Sequence, residues 1–122
     1  MLTTVAGDDY AIGYVSLGSL DDSVKALKID GAEATADNIK SGDYKVARPF
    51  NIATKKGSDN ELSKDFISFI MSKEGQQVVS ENGYIGDDSA AAFSGSNPSG
   101  KIVVGGSSSV TPVMEKLIEA YK

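Results

Sequence analysis

Apolar residues recur at two spacings along this chain, and each spacing predicts a different element. Val110, Val113, Met114, Leu117, Ile118 and Tyr121 stand at i, i+3, i+4, i+7, i+8 and i+11. That is one continuous apolar face on a helix running from Val110 to Tyr121 or Lys122. Pro112 falls in its first turn, where N–H groups have no partner inside the helix and a proline loses nothing. Leu62, Phe66, Phe69 and Ile70 repeat at i, i+4, i+7 and i+8 and predict a second helix, Asp59 to Ser80. Ser58 and Glu61 form an S-x-x-E capping box ahead of it, and Gly83 marks its stop. A short third helix is predicted in "TADNIKSG", with Thr35 as N-cap and Gly42 as stop.

The second spacing belongs to strands. "YAIGYVSL" (Tyr10–Leu17) is aromatic and β-branched and reads as a buried strand. "VKALKID" (Val24–Asp30) is a weaker one that ends at Asp30-Gly31. "YKVARPFNIAT" (Tyr44–Thr54) reads as a strand whose Pro49 confines part of it to an edge or a bend. "KIVVGG" (Lys101–Gly106) does not alternate, which predicts an interior strand buried on both faces. These elements predict an α/β fold: a mixed, mainly parallel sheet flanked by helices, with the two long apolar stripes packed on it. Between them, "GDDSAAAFSGSNPSG" (Gly86–Gly100) is small, polar and unpatterned. It reads as a linker in which Phe93 is the one candidate anchor.

Composition narrows the chemistry. The 122 residues suit one small domain with one core. There is no cysteine and no histidine, which excludes disulfides, thiolate zinc sites and Ser-His-Asp or Cys-His catalysis within this chain. A net charge of -5 argues against nonspecific nucleic-acid binding, which needs a basic face. It does not argue against a small anion, because charges beyond about 8 Å are largely screened at physiological salt. No apolar run reaches the ~18 residues of a membrane span, and "MLTTVAGDDY" lacks the basic start and apolar core of a secretory signal. The acidic pairs at 8–9, 21–22 and 87–88 do not extend into a calcium-loop pattern and read as turn and solvent residues. No nucleophile is paired with a base, so no enzymatic activity and no cofactor are expected.

Two glycine-serine runs remain as anion-binding candidates. "GSNPSGK" (Gly95–Lys101) matches the first seven positions of a nucleotide-binding P-loop, but the eighth is Ile102 rather than the Ser or Thr that would ligate magnesium. The run also precedes a strand instead of joining strand to helix. "GGSSSVTP" (Gly105–Pro112) has the better context, since it follows "KIVV" and opens the last helix. A helix start offers unpaired N–H groups and the positive end of the dipole. Ser107, Ser108, Ser109 and Thr111 add hydroxyls. Spacing alone leaves a plainer reading ahead, in which Ser109 or Thr111 is only an N-cap and the glycines only a tight turn.

"KIVVGGSSSVTPVMEKLIEAYK" resembles the start of mature phosphate-binding proteins, the substrate-binding components of bacterial phosphate ABC transporters. "AIGYVSLGSLDDSVKALKIDG", "NIKSGDYKVARPFNIATK" and "LSKDFISFIMSKEGQQVVSENGYI" resemble the C-terminal third of the same family. The order is thus transposed, as at a junction of two tandem units or in a circular permutant. The resemblance implies a partial lobe of a periplasmic-binding-protein-like fold. Residues 1–85 would be its C-terminal-type segment, 86–100 a linker, and 101–122 a strand-helix segment completing the same lobe. It implies inorganic phosphate as ligand, membrane subunits of an ABC transporter as partners and an extracytoplasmic setting. It carries over Ser109, through its hydroxyl, and Val110, through its N–H, as phosphate contacts, with Ser108 and Thr111 as neighbours. The family's clamping aspartate, arginine and Ser-Gly-Thr turn lie in segments not present. Arg48, the one arginine, stands in the wrong segment to replace the clamp residue. Millimolar or weaker binding is therefore expected of this chain alone. The segments missing beside "KIVVGG" would leave an open strand edge. That predicts a homodimer or exchange of the last strand and helix, against a monomer in which Phe93 plugs the gap.

Overall fold

The computed structural model describes residues 1–58 and 60–122, and these form two compact units. The first comprises Met1–Arg48 and Gly83–Ile85; the second comprises Pro49–Asn82 and Gly86–Lys122. In the first unit, α1 (Leu2–Ala6) is followed by a 3-10 turn at Leu17–Ser19 and by α2 (Ala36–Ser41). Thr35 caps α2 as expected, its hydroxyl accepting from the Asn38 N–H at 3.3 Å. Gly42 ends the helix at φ 84°, a left-handed cap that a side chain would disfavour. Asp30 and Gly31, at φ 50° and 84°, turn the chain so that Ile29 and Ala32 exchange backbone hydrogen bonds at 2.9 Å.

The second unit holds most of the buried core. The expected helix from Asp59 to Ser80 is two helices, α3 (Glu61–Ile70) and α4 (Lys73–Glu81); the expected start at Asp59 lies outside the described residues. Asn60, rather than Ser58, caps α3 by accepting from the Ser63 N–H at 3.0 Å. The break comes at Met71-Ser72 because the Ser72 hydroxyl serves both helices. It donates to the Phe69 carbonyl at 2.6 Å and accepts from the Gly75 N–H at 3.2 Å. A short hydroxyl that satisfies backbone groups in this way competes with continuation of the helix. Gly75 lies against the backbone of Phe69 and Ile70, so close that a Cβ there would overlap the Phe69 carbonyl oxygen.

α5 (Thr111–Tyr121) closes the unit, with Pro112 in its first turn. Phe66, Phe69 and Ile70 of α3 are buried together with Val113 and Leu117 of α5. The stripes read from the sequence are thus buried, but against one another and not on a sheet. Phe93 fills the same cluster, its ring 5.3 Å from that of Phe69 and edge-on to it. Residues 86–96 lie along α3 and α4. The Ala91 carbonyl accepts from the Lys73 N–H at 2.7 Å, the Glu74 carboxylate from the Phe93 N–H at 2.7 Å, and Gln76 Oε1 from the Asp87 N–H at 2.8 Å.

The expected strands are corrected by the structure. Among the described residues the single backbone pairing of β type is the Ile29–Ala32 bridge. Tyr10–Leu17, Tyr44–Thr54 and Lys101–Gly106 form no ladder, and Val103 is 88% exposed where an interior strand was expected. The physical reason is pairing: a strand is stabilised only when a neighbour takes its N–H and C=O groups, and no such neighbour lies beside these segments among the described residues. No helix among the described residues is long and apolar enough to cross a membrane.

Candidate functional site

Of the two glycine-serine runs, the first is already occupied by an anion of the chain itself. The Ser96 N–H donates to Asp65 Oδ1 at 2.8 Å, and Gly95 packs so tightly on the Phe93 ring and the Asp65 carboxylate that it has no room for a Cβ. Asp65 is buried, and its second oxygen accepts from the Tyr121 hydroxyl at 2.6 Å. That hydrogen bond, with those from Ser96 and Asn97, holds the Asp65 carboxyl below its ordinary pKa despite the cost of burial. A phosphate approaching this run would meet a fixed negative charge. The P-loop reading therefore fails on geometry as well as on Ile102.

The second run is built differently. From Gly105 to Ser108 the backbone is exposed, and open space lies where a Cβ would stand at Gly105 or Gly106. Packing within this chain gives no reason for glycine at either position. The turn then tightens. The Ser107 carbonyl accepts from the Val110 N–H at 2.9 Å, from the Thr111 N–H at 3.2 Å and from the Thr111 hydroxyl at 3.3 Å. The Ser107 and Ser109 hydroxyls lie 2.8 Å apart and share a hydrogen bond. Val110 takes the cap position of α5 without a side-chain hydrogen bond.

Ser109, Val110 and Thr111 are thus gathered around Ser107, whereas Ser108 stands exposed beside them. The Val110 N–H, expected as a ligand donor, is directed at Ser107, so an anion would have to compete for it. Ser107 is the residue that sequence reasoning undervalued. Its carbonyl and hydroxyl organise the turn, and nothing in its identity distinguishes it from the two serines that follow. A shallow concavity elsewhere, lined by Asp30, Asn38, Asp43 and Lys45 among others, is walled by carboxylates and suits an anion less.

These features meet a clear set of relatives. A phosphate-binding protein PstS 2 of Streptococcus agalactiae serotype V is 63% identical over 121 residues, 99% of this chain and 41% of its own length. The chain is similar to phosphate-binding proteins from end to end. The PstS 2 protein of Streptococcus pneumoniae serotype 4 is 50% identical over 123 residues, covering all of this chain and 42% of that protein. A crystal structure of a phosphate-binding protein of a Streptococcus pneumoniae phosphate ABC transporter matches with TM-score 0.77 and 50% identity, over 98% of this chain and 47% of that one. The resemblance read from the residue patterns therefore holds, and it holds for the backbone course too. This chain spans about two fifths of the length of the curated relatives it matches. One continuous alignment takes in both the 1–85 and the 101–122 segments. The order that looked transposed is consequently shared with these relatives. No family model matches the chain.

Proposed function

We propose that this chain is part of a phosphate-binding lobe and that its Gly105–Thr111 turn supplies phosphate contacts. The observation that carries this is the turn itself: exposed glycine and serine backbone running into the start of α5, in a chain 63% identical to a phosphate-binding protein across 99% of its length. Helix starts of this kind attract small oxyanions through oriented N–H groups and the dipole. Ser108 and the amides of Gly106 and Ser107 are the most accessible donors, and the Ser109 hydroxyl becomes one when it exchanges Ser107 for phosphate. Val110 and Thr111 hold the turn and join if the ligand displaces the Ser107 carbonyl.

The reading extends to the fold and the setting. In a longer polypeptide the segments Tyr10–Leu17 and Lys101–Gly106 would take strand partners and complete a mixed α/β sheet flanked by helices. Residues 1–85 and 101–122 would belong to one lobe, joined through 86–100. The whole protein would bind phosphate outside the cytoplasm and deliver it to the membrane subunits of an ABC transporter, without catalysis.

The test compares the chain with its Ser109→Ala and Ser108→Ala variants in phosphate titrations, with chloride as control. Binding in the millimolar range, weakened severalfold by Ser109→Ala, is the expected result. Equal affinity in Ser109→Ala, or an equal response to chloride, would defeat the assignment.

A further inference from the structure

We propose that Asp65 is a positioning residue for the phosphate-binding turn, fixing both ends of the arm that carries it. The inference rests on the reading of the turn given above. The arm runs from Ser96 through the 105–111 turn and along α5 to Tyr121. One carboxylate holds both its ends: Asp65 Oδ1 accepts from the Ser96 N–H at 2.8 Å, and Oδ2 accepts from the Tyr121 hydroxyl at 2.6 Å. These partners stand 31 and 56 residues from Asp65 in sequence, so the carboxylate ties distant segments rather than decorating its own helix.

The attachment is part-buried and framed by aromatic rings. Asp65 is the one buried carboxylate among the described residues. The Tyr121 ring lies 5.0 Å from Phe66 and 5.4 Å from Phe69, the two aromatic residues of α3. Between the two attachments, Lys101 to Ser108 has no ladder partner among the described residues, and Val103 is almost fully exposed. The turn's place is therefore set from the ends of the arm, and α5 transmits the constraint from Tyr121 to its own first turn. Burying a carboxylate is costly unless its oxygens are hydrogen-bonded. A purely apolar residue would pack the aromatic cluster at less cost, but it could not hold Ser96 and Tyr121 in register with each other.

Amide hydrogen exchange on the 122-residue chain and on Asp65→Asn and Tyr121→Phe variants tests this. Tyr121→Phe removes one hydroxyl and keeps the ring, so it stays informative if Asp65→Asn fails to fold. Exchange at Val110 and Thr111, whose N–H groups close the turn on Ser107, should accelerate about tenfold or more in both variants. The Gln76 N–H inside α4 should stay as protected as in the parent, since the effect is local. Phosphate affinity should fall alongside. Unchanged exchange at Val110 and Thr111, or a rise shared equally by Gln76, would overturn the proposal and leave Asp65 as general scaffolding. Because exchange is read without ligand, a chain that ignores phosphate refutes the functional reading while this inference is still decided.

Discussion

Tyr121 and Asp65 show how one pair of side chains sets a pH range. Burial, followed by the neighbouring Asp65 carboxylate, pushes the Tyr121 phenol up to about 12 from an ordinary value of 10. A group whose folded value is raised contributes stability that is complete below its unfolded value and is lost as pH climbs through the folded one. The Tyr121 contribution should therefore vanish between about pH 10 and 12. Asp65 behaves oppositely: its pKa is lowered by the Tyr121 hydroxyl, so its contribution is complete above an ordinary 3.8 and fades as pH falls below that. Tyrosinate absorbance during an alkaline titration checks the first statement. One tyrosine should ionise near pH 12, about two units above the ordinary phenol value, and Asp65→Asn should lower that value in part, burial keeping the rest. At this same scale, Thr35 and Gly42 could be read from the sequence because capping chemistry is local. Asp65 could not, because its partners are far away in the chain and an aspartate on a helix is ordinarily solvated.

At the scale of elements, the packing of α3, α4 and α5 makes its own demands. Leu117 is 2% exposed at the centre of the α5 stripe, so Leu117→Ala should cost about 2–5 kcal/mol, read as a lowered midpoint in urea with little change of slope. Gly75→Ala would drive a methyl group into the Phe69 and Ile70 backbone. Overpacking of that kind costs roughly 1–3 kcal/mol, and a variant as stable as the parent would show that the α3–α4 corner yields easily. The apolar stripes were legible because a 3.6-residue period depends on each helix alone. The break at Ser72 was not read, although a serine at the cap followed by Glu74 in the first turn carries the signal of a helix start. The strands failed for a different reason. A run such as "KIVVGG" states a preference for burial in a sheet, but pairing depends on residues elsewhere, and the described residues offer none.

For the molecule as a whole, the exposed apolar segments that join no ladder among the described residues have consequences. Tyr10 is 97% exposed, Ile12 88% and Tyr14 89%. Val46, Phe50, Ile52 and Val103 are likewise exposed. Exposed apolar segments outside any ladder are templates for pairing with another chain. The isolated chain is therefore expected to dimerise as concentration rises, and sedimentation over a wide range should show the mass increasing. A constant monomer mass at millimolar protein would refute this.

The central claim is that the turn between Gly105 and Thr111 receives phosphate, and amide chemical shifts during a phosphate titration test it most directly. The account predicts concentration-dependent shifts at Gly106 to Val110 that saturate in the millimolar range, with the amides at Ser96 and Asn97, already beside the Asp65 carboxylate, unmoved. Shifts centred on Gly95–Lys101, or no shift at Gly106 to Val110 at tens of millimolar phosphate, would contradict it.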